Sequence, residues 1–220
     1  MAEIAGPEQQ LLLIGDGQQQ LYPGGYTLSE AGVSITGRST VLRVNYRNCA
    51  EILTAAAQVV ADDDFEDLDG PAEQGRRDIA TARPGGQVWQ IRTRNIDELR
   101  GLAVAHVRSL VDTTSDSGGI VILCETNAEV ERYVAVLGEA GVRAIKLSSY
   151  NGVPADAVKV GTVQRAKGLE FKHVVYALHD RAASRRLSED AAHEERERAN
   201  RTLFVAMTRA RDSVWVGRVA

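Results

Sequence analysis

Tyr46 and Arg47 stand side by side in the run Leu42-Arg43-Val44-Asn45-Tyr46-Arg47, just where a helical pattern begins. An aromatic face next to a guanidinium suits a flat base and a phosphate, because the planar guanidinium can make two parallel hydrogen bonds to an oxyanion. Taken alone, the pair reads more readily as a surface arginine beside a half-buried tyrosine. A second candidate is Ile14-Gly15-Asp16-Gly17-Gln18-Gln19-Gln20-Leu21-Tyr22. A carboxylate and amides at a strand's end can orient a phosphate-bound water or a metal, and the tyrosine can stack a base. Gly-Asp-Gly is also an ordinary turn, and the residues alone leave both readings open. The third candidate is a pair of segments, Gly161 to Phe171 (GTVQRAKGLEF) and Arg201 to Arg211 (RTLFVAMTRAR).

Positioning these residues requires a scaffold, and the pattern supplies one. Leu11 to Ile14 is a short, wholly apolar run, as a buried parallel strand reads when it delivers a loop to a site. Val41 to Val44 reads as a second strand, followed by a helix from Arg47 to Ala61 through Ile52, Leu53, Ala56, Val59 and Val60. Asp62 to Gly86 is acidic, then rich in glycine and proline, and reads as a long surface connection. Thereafter strands at 87–92, 119–124, 142–147, 158–163, 173–178 and 213–219 are interspersed with helices at 97–111, 127–140 and 188–210. Such alternation implies βαβ units and a parallel sheet covered on both faces. The helix end at Leu203, Phe204 and Met207 is expected to bury its apolar side and project Arg209 outward.

Composition narrows the class. A hydrophobic fraction of 44% and a charged fraction of 25% are ordinary for a globular chain, and the net charge of −4 argues against bulk attraction to nucleic acid. Contact with DNA would have to be local. Cys49 and Cys124 show no metal-ligand spacing and read as small buried hydrophobes in a reducing compartment. No apolar run approaches the ~20 residues of a membrane span and no secretory leader is evident, so a cytosolic chain with no membrane partner is expected.

In their order along the chain, these segments resemble the motifs of UvrD/Rep-type superfamily 1 DNA helicases. Gly161 to Phe171 is similar to T-x-H-x-A-K-G-L-E-F, and Arg201 to Arg211 to Y-V-A-x-T-R-A. Asn45-Tyr46-Arg47 is similar to the fourth motif and Gly15-Asp16-Gly17-Gln18-Gln19 to the third. The resemblance implies a RecA-like α/β fold, a parallel sheet with helices on both faces, without its own phosphate-binding (Walker A) loop. It implies that residues 1–40 are the end of a first motor domain and a linker, and 41–220 the second RecA-like motor domain. By resemblance, Arg47 and Arg209 are arginine fingers for a γ-phosphate, Gln19 a γ-phosphate sensor, and Tyr46 an adenine-stacking residue. Glu170 would accept from a ribose hydroxyl, and Gly168 would admit close backbone approach. Thr162 and Gln164 match positions near a single-strand backbone, and Tyr22 a base-stacking position. Lys167 is either a phosphate contact or a lysine packed over apolar surface.

The same resemblance implies an ATP-dependent, 3′-to-5′ helicase, with single-stranded DNA as a partner. ATP and Mg²⁺ would be held mainly by an N-terminal RecA-like domain, and a repair helicase would be nucleoid-associated. The sequence departs from the family in several respects. No G-x-x-x-x-G-K-[ST] occurs, so the chain alone is expected to be inactive and reads as part of a longer helicase. Gln164 stands where the family has histidine, Pro23-Gly24-Gly25 follows Tyr22 where a second aromatic is usual, and no large inserted subdomain lies between the Asn-Tyr-Arg and Lys-Gly-Leu-Glu motifs. Two other readings stay open: a non-catalytic RecA-like interaction module, and the helicase part of a helicase–nuclease fusion. Asp62 to Asp69 reads as a solvated acidic loop rather than a calcium site, Glu194 to Arg198 as a charge-laced helix face, and Arg181, Arg185 and Arg186 as a solvated loop or a DNA-backbone contact.

Overall fold

A computed structural model describes residues 44–65, 73–74, 80–178 and 188–219. The expected strand at Leu11, Gln19, Tyr22 and the Arg181, Arg185 and Arg186 cluster lie outside the described residues. The main feature is a six-stranded, all-parallel sheet. Its strands are β5 (Gln87–Thr93), β6 (Ile120–Cys124), β7 (Ala144–Lys146), β8 (Val158–Thr162), β9 (Phe171–Leu178) and β10 (Ala210–Val219), in the spatial order β5-β10-β9-β6-β8-β7. The central strand β6 is wholly buried, which is why Ile-Val-Ile-Leu-Cys reads as a continuous apolar run rather than an alternation.

The pleat sorts the sheet's side chains onto two faces. Val121, Leu123, Val174, Tyr176, Val214 and Val216 point to one side. There they meet Ile52 and Ala56 of α1 (Ala50–Val59), Leu203 to Met207 of α4 (Glu189–Thr208), and Val163 and Ala166 of the β8–β9 connection. Ile120, Ile122, Cys124, Val175, Ala177 and Trp215 point to the other side, against Leu99, Ala103 and Val107 of α2 (Ile96–Thr114) and Val130, Tyr133 and Leu137 of α3 (Asn127–Glu139). The sequence-expected sheet with helices on both faces is therefore present.

Helix starts follow local capping chemistry. The Asn95 side chain accepts from the amides of Asp97 and Glu98, Thr126 from Glu129, and Ser188 from Ala191. Acidic residues fill each first turn, complementing the amide-rich end of the helix.

The segment 62–86 differs from the surface connection expected. Asp64–Phe65 (β2) pairs antiparallel with Glu73–Gln74 (β3), and Ala80–Arg83 (β4) pairs parallel with β1 (Val44–Cys49). Strand β1 runs to Cys49, so the helix expected from Arg47 begins at Ala50. Asp63, expected in a solvated loop, is buried; it accepts a 3.0 Å hydrogen bond from the Asn200 amide, and burial raises its carboxyl above the usual range. Cys49 and Cys124 are buried free thiols, and burial pushes the Cys124 thiol well above its ordinary value.

Candidate nucleotide and strand interface

Register places the candidate residues at two opposite edges of the sheet. Phe171 pairs with Ala210, and Ile120 with His173, so Glu170 and Arg209 lie at the edge where β9 and β10 begin. Thr162 pairs with Cys124, the last residue of β6, so Thr162 and Gln164 lie at the edge where β6 and β8 end. The connection 163–170 must therefore cross one whole face of the sheet.

At the first edge, β1 packs beside the start of β10 and brings in Tyr46 and Arg47. Tyr46 is 74% exposed, its ring offered to solvent. Arg47 Nε donates to Glu170 Oε1 at 2.5 Å, with the two side chains 36% and 43% exposed. Asn48 is buried; its Nδ2 donates to the carbonyls of Thr208 at 3.0 Å and Ala210 at 2.6 Å, which flank Arg209. Phe171 N donates to the Arg209 carbonyl at 3.0 Å, tying the residue after Glu170 to the same point. Tyr46, Arg47, Glu170 and Arg209 are thus gathered at one edge by three segments far apart in sequence.

Arg209 departs from the expectation of a projecting side chain. It is the C-cap of α4 and only 2% exposed. Its Nε donates to the Val205 carbonyl at 3.2 Å and its Nη2 to Thr208 Oγ1 at 3.4 Å, so the guanidinium folds back along the last helical turn. The Val205 carbonyl is among the acceptors that every helix C-terminus leaves without intrahelical backbone partners, and a cation there is favoured electrostatically. The sequence pattern marked the buried apolar side of this helix correctly but carried no information about what covers its end.

Gly168 has φ of +86°, in the left-handed region, and nothing lies within 4 Å of the position a Cβ would take. Its backbone conformation requires glycine, and the space beside it is open to an approaching group. Lys167 is exposed, so its stem is not laid over the core. At the other edge Thr162 is nearly buried and accepts from the Arg165 amide at 3.4 Å, while Gln164 and Arg165 are exposed.

Residues missed by sequence reasoning hold the first edge together. Arg83 on β4 donates from Nη1 to the carbonyls of Arg47 (2.8 Å) and Arg211 (3.4 Å), and from Nη2 to Asp212 Oδ1 at 2.6 Å. Thr81 Oγ1 donates to the Asn48 carbonyl at 2.8 Å. Ala80-Thr81-Ala82-Arg83 lacks β-branched apolar periodicity, so no strand signal pointed to it. Asn48 was legible only as a short polar residue at a helix start.

The arrangement is that of a RecA-like α/β lobe that presents Tyr46, Arg47 and Glu170 at a strand-start edge, with Arg209 buried beside them and no phosphate-binding loop in its sequence. Residues 157–216 match the family model of the UvrD-like helicase C-terminal domain. No curated protein matches it in sequence. Among solved structures it is similar to the C-terminal domain of a possible DNA helicase from Lactobacillus plantarum WCFS1, at a TM-score of 0.55 and 19% identity. That similarity covers 80% of this chain and 88% of the other, and concerns the fold. Among the described residues no helix is long and apolar enough to cross a membrane.

Proposed function

We propose that this chain supplies the second motor lobe, residues 41–220, of an ATP-dependent single-stranded DNA translocase of 3′-to-5′ polarity. It would close over ATP and Mg²⁺ held by a first RecA-like lobe. The observation that supports this reading most is the gathering of Tyr46, Arg47, Glu170 and Arg209 at one edge through the Asn48 bonds on either side of Arg209.

The residues present fit one side of a nucleotide. The exposed Tyr46 ring offers a stacking face for adenine, and Glu170 an acceptor for a ribose hydroxyl. Arg47 and Arg209 supply positive charge for the oxygens that gain negative charge during γ-phosphoryl transfer. ATP, when bound, would supply the hydrolysis free energy, with its Mg²⁺ held by residues of the other lobe. Glu170 and Arg47 are paired with each other here, so each must exchange that partner for a ribose hydroxyl or a phosphate when the lobes meet. Thr162, with its neighbours Gln164 and Arg165, would face the DNA backbone at the opposite edge, and Tyr22 would stack a base. Gln19 would sense the γ-phosphate between the lobes.

The test combines the chain with a P-loop-bearing first motor domain of a UvrD-like helicase and follows ATP hydrolysis with and without single-stranded DNA. The chain by itself should not hydrolyse ATP. The mixture should, and Arg209→Ala should lower kcat by about 10³-fold or more, the range seen for arginine fingers. Hydrolysis by the chain alone, or an undiminished Arg209→Ala mixture, would overturn the reading.

A further inference from the structure

Arg47 and Arg209 come from a strand and a helix end that are 162 residues apart in sequence, by the numbering of the two positions. Two charges that must act on one phosphoryl group need a fixed separation, and long flexible side chains do not provide it. The backbone bonds around them do. Asn48 directly follows Arg47, is 1% exposed, and spends both amide hydrogens on the carbonyls that flank Arg209, those of Thr208 and Ala210. Its Oδ1 accepts from Asn45 Nδ2 at 2.9 Å, and Asn45 Oδ1 in turn accepts from the amides of Arg47 (2.8 Å) and Asn48 (2.9 Å). The Arg83 guanidinium repeats the pattern one step outward, bonding the carbonyls of Arg47 and Arg211.

We infer that Asn48 is a positioning residue that sets Arg47 and Arg209 in register with each other, so that both reach the same phosphoryl group. The chemistry selects an amide. Only a neutral side chain with two donors at one atom can bridge two carbonyls while accepting from a third group. An aspartate of the same shape would face both carbonyls with negative charge and lose both bonds. The carbonyls it holds border the joint where α4 gives way at its C-cap Arg209 to β10, which begins at Ala210, and they add to the bonds that the Arg209 amide and carbonyl already make to Ala206 and Phe171. This inference rests on the reading of Arg47 and Arg209 as phosphate-facing residues.

The experiment measures steady-state ATP hydrolysis by the full chain mixed with a P-loop-bearing first motor domain. It compares Asn48→Ala, Asn48→Asp, Asn48→Ser, Arg209→Ala and the Asn48→Ala/Arg209→Ala double variant. Asn48→Ala and Asn48→Asp should lower kcat by about 10- to 100-fold, the scale of a reacting group misplaced by about 1 Å, with KM for ATP changed no more than about 2-fold. Asn48→Ser, which keeps one donor on a side chain one bond shorter, should fall between wild type and Asn48→Ala. In the Arg209→Ala background the Asn48→Ala change should have no further effect on kcat, because Asn48 acts through that arginine. If Asn48→Ala does not fold, Asn48→Ser carries the same comparison with Arg209→Ala. The inference is overturned if kcat per folded molecule is unchanged in the Asn48 variants, or if the two losses multiply in the double variant. An Arg209→Ala chain with undiminished kcat would instead sink the arginine-finger reading, a separate outcome.

Discussion

Replacing Glu170 by glutamine separates the two jobs that this carboxylate is given. In the isolated lobe it pairs with Arg47, and both side chains are more than a third exposed. Exposed pairs of this kind contribute about 0–1 kcal/mol, and salt screens them. For a chain of this size each kcal/mol moves the melting temperature by about 2–4 °C, so Glu170→Gln should melt within about 4 °C of wild type. In the assembled motor the same group would accept from a ribose hydroxyl. A hydrogen bond to a charged acceptor is worth about 1.5–3 kcal/mol, which corresponds to roughly 10- to 150-fold in nucleotide affinity. The variant should therefore raise KM for ATP on that scale while kcat stays within a few-fold, because Arg47 is released rather than removed. The assay is ATP hydrolysis by the chain mixed with a first motor domain, run in parallel with 2′-deoxy- and 3′-deoxy-ATP. Wild type should discriminate against the analogue lacking the hydroxyl that Glu170 contacts, and Glu170→Gln should not. A wild-type mixture indifferent to both analogues would refute the ribose assignment. A Glu170→Gln chain melting ten or more degrees lower would refute the ledger for the ion pair.

Two further outcomes follow from the same coordinates. Burial holds His106 and His173 below the ordinary histidine range; the charge of His173 adds to that shift at His106, while at His173 Asp212 and Asp116 oppose it and Lys172 adds to it. Both are thus neutral in the folded chain at pH values where unfolded histidines, with pKa near ~6.5, already bind protons. Their contribution is fully present above that pH and lost as pH falls through the depressed folded values. The melting temperature should therefore drop between pH 7.5 and 5, and less so in His106→Gln; an identical pH dependence in the variant would refute this. His106 sits 4.8 Å from the Trp89 ring and 6.1 Å from the Trp215 ring, so tryptophan fluorescence can follow the same protonation. At the other edge, Arg165→Ala should weaken binding of single-stranded DNA to the chain and reduce the slope of log K against log salt by about 0.7, as the loss of one phosphate contact requires. An unchanged slope would remove Arg165 from the DNA path.

Much of the fold was legible because burial on both faces writes itself into sequence. Strand β6 is an unbroken apolar run, and α2 and α3 carry capping residues at Asn95 and Thr126 with apolar positions at helical spacing. The candidate residues were legible through motif strings. What escaped was whatever depends on long-range polar pairing. Strand β4 is Ala-Thr-Ala-Arg, and its place beside β1 is fixed by hydrogen bonds from Thr81 and Arg83 rather than by apolar packing. Asp63 looked like one more residue of an acidic loop, yet Asn200 of α4 draws it into a buried bond. No local pattern records a partner 137 residues away.

The topology also constrains how the two edges can communicate. If nucleotide is sensed where β9 and β10 begin and DNA is held where β6 and β8 end, the shortest covalent path between them is the connection 163–170. Val163 and Ala166 are fully buried in the core beneath α1 and α4, and the Ala166 amide donates to the carbonyls of Thr162 and Val163. Leu169 N donates to the Ala166 carbonyl, and Phe171 N to that of Arg209. The two buried residues anchor the otherwise largely exposed segment to the core, and close-packed interiors transmit strain. A shift of Glu170 on engaging a ribose would therefore move Gln164 and Arg165 with it, unless the left-handed turn at Gly168 takes up the change. Gly168→Ala, which strains that turn without filling any occupied space, is accordingly expected to alter the coupling of hydrolysis to DNA more than it alters either binding step.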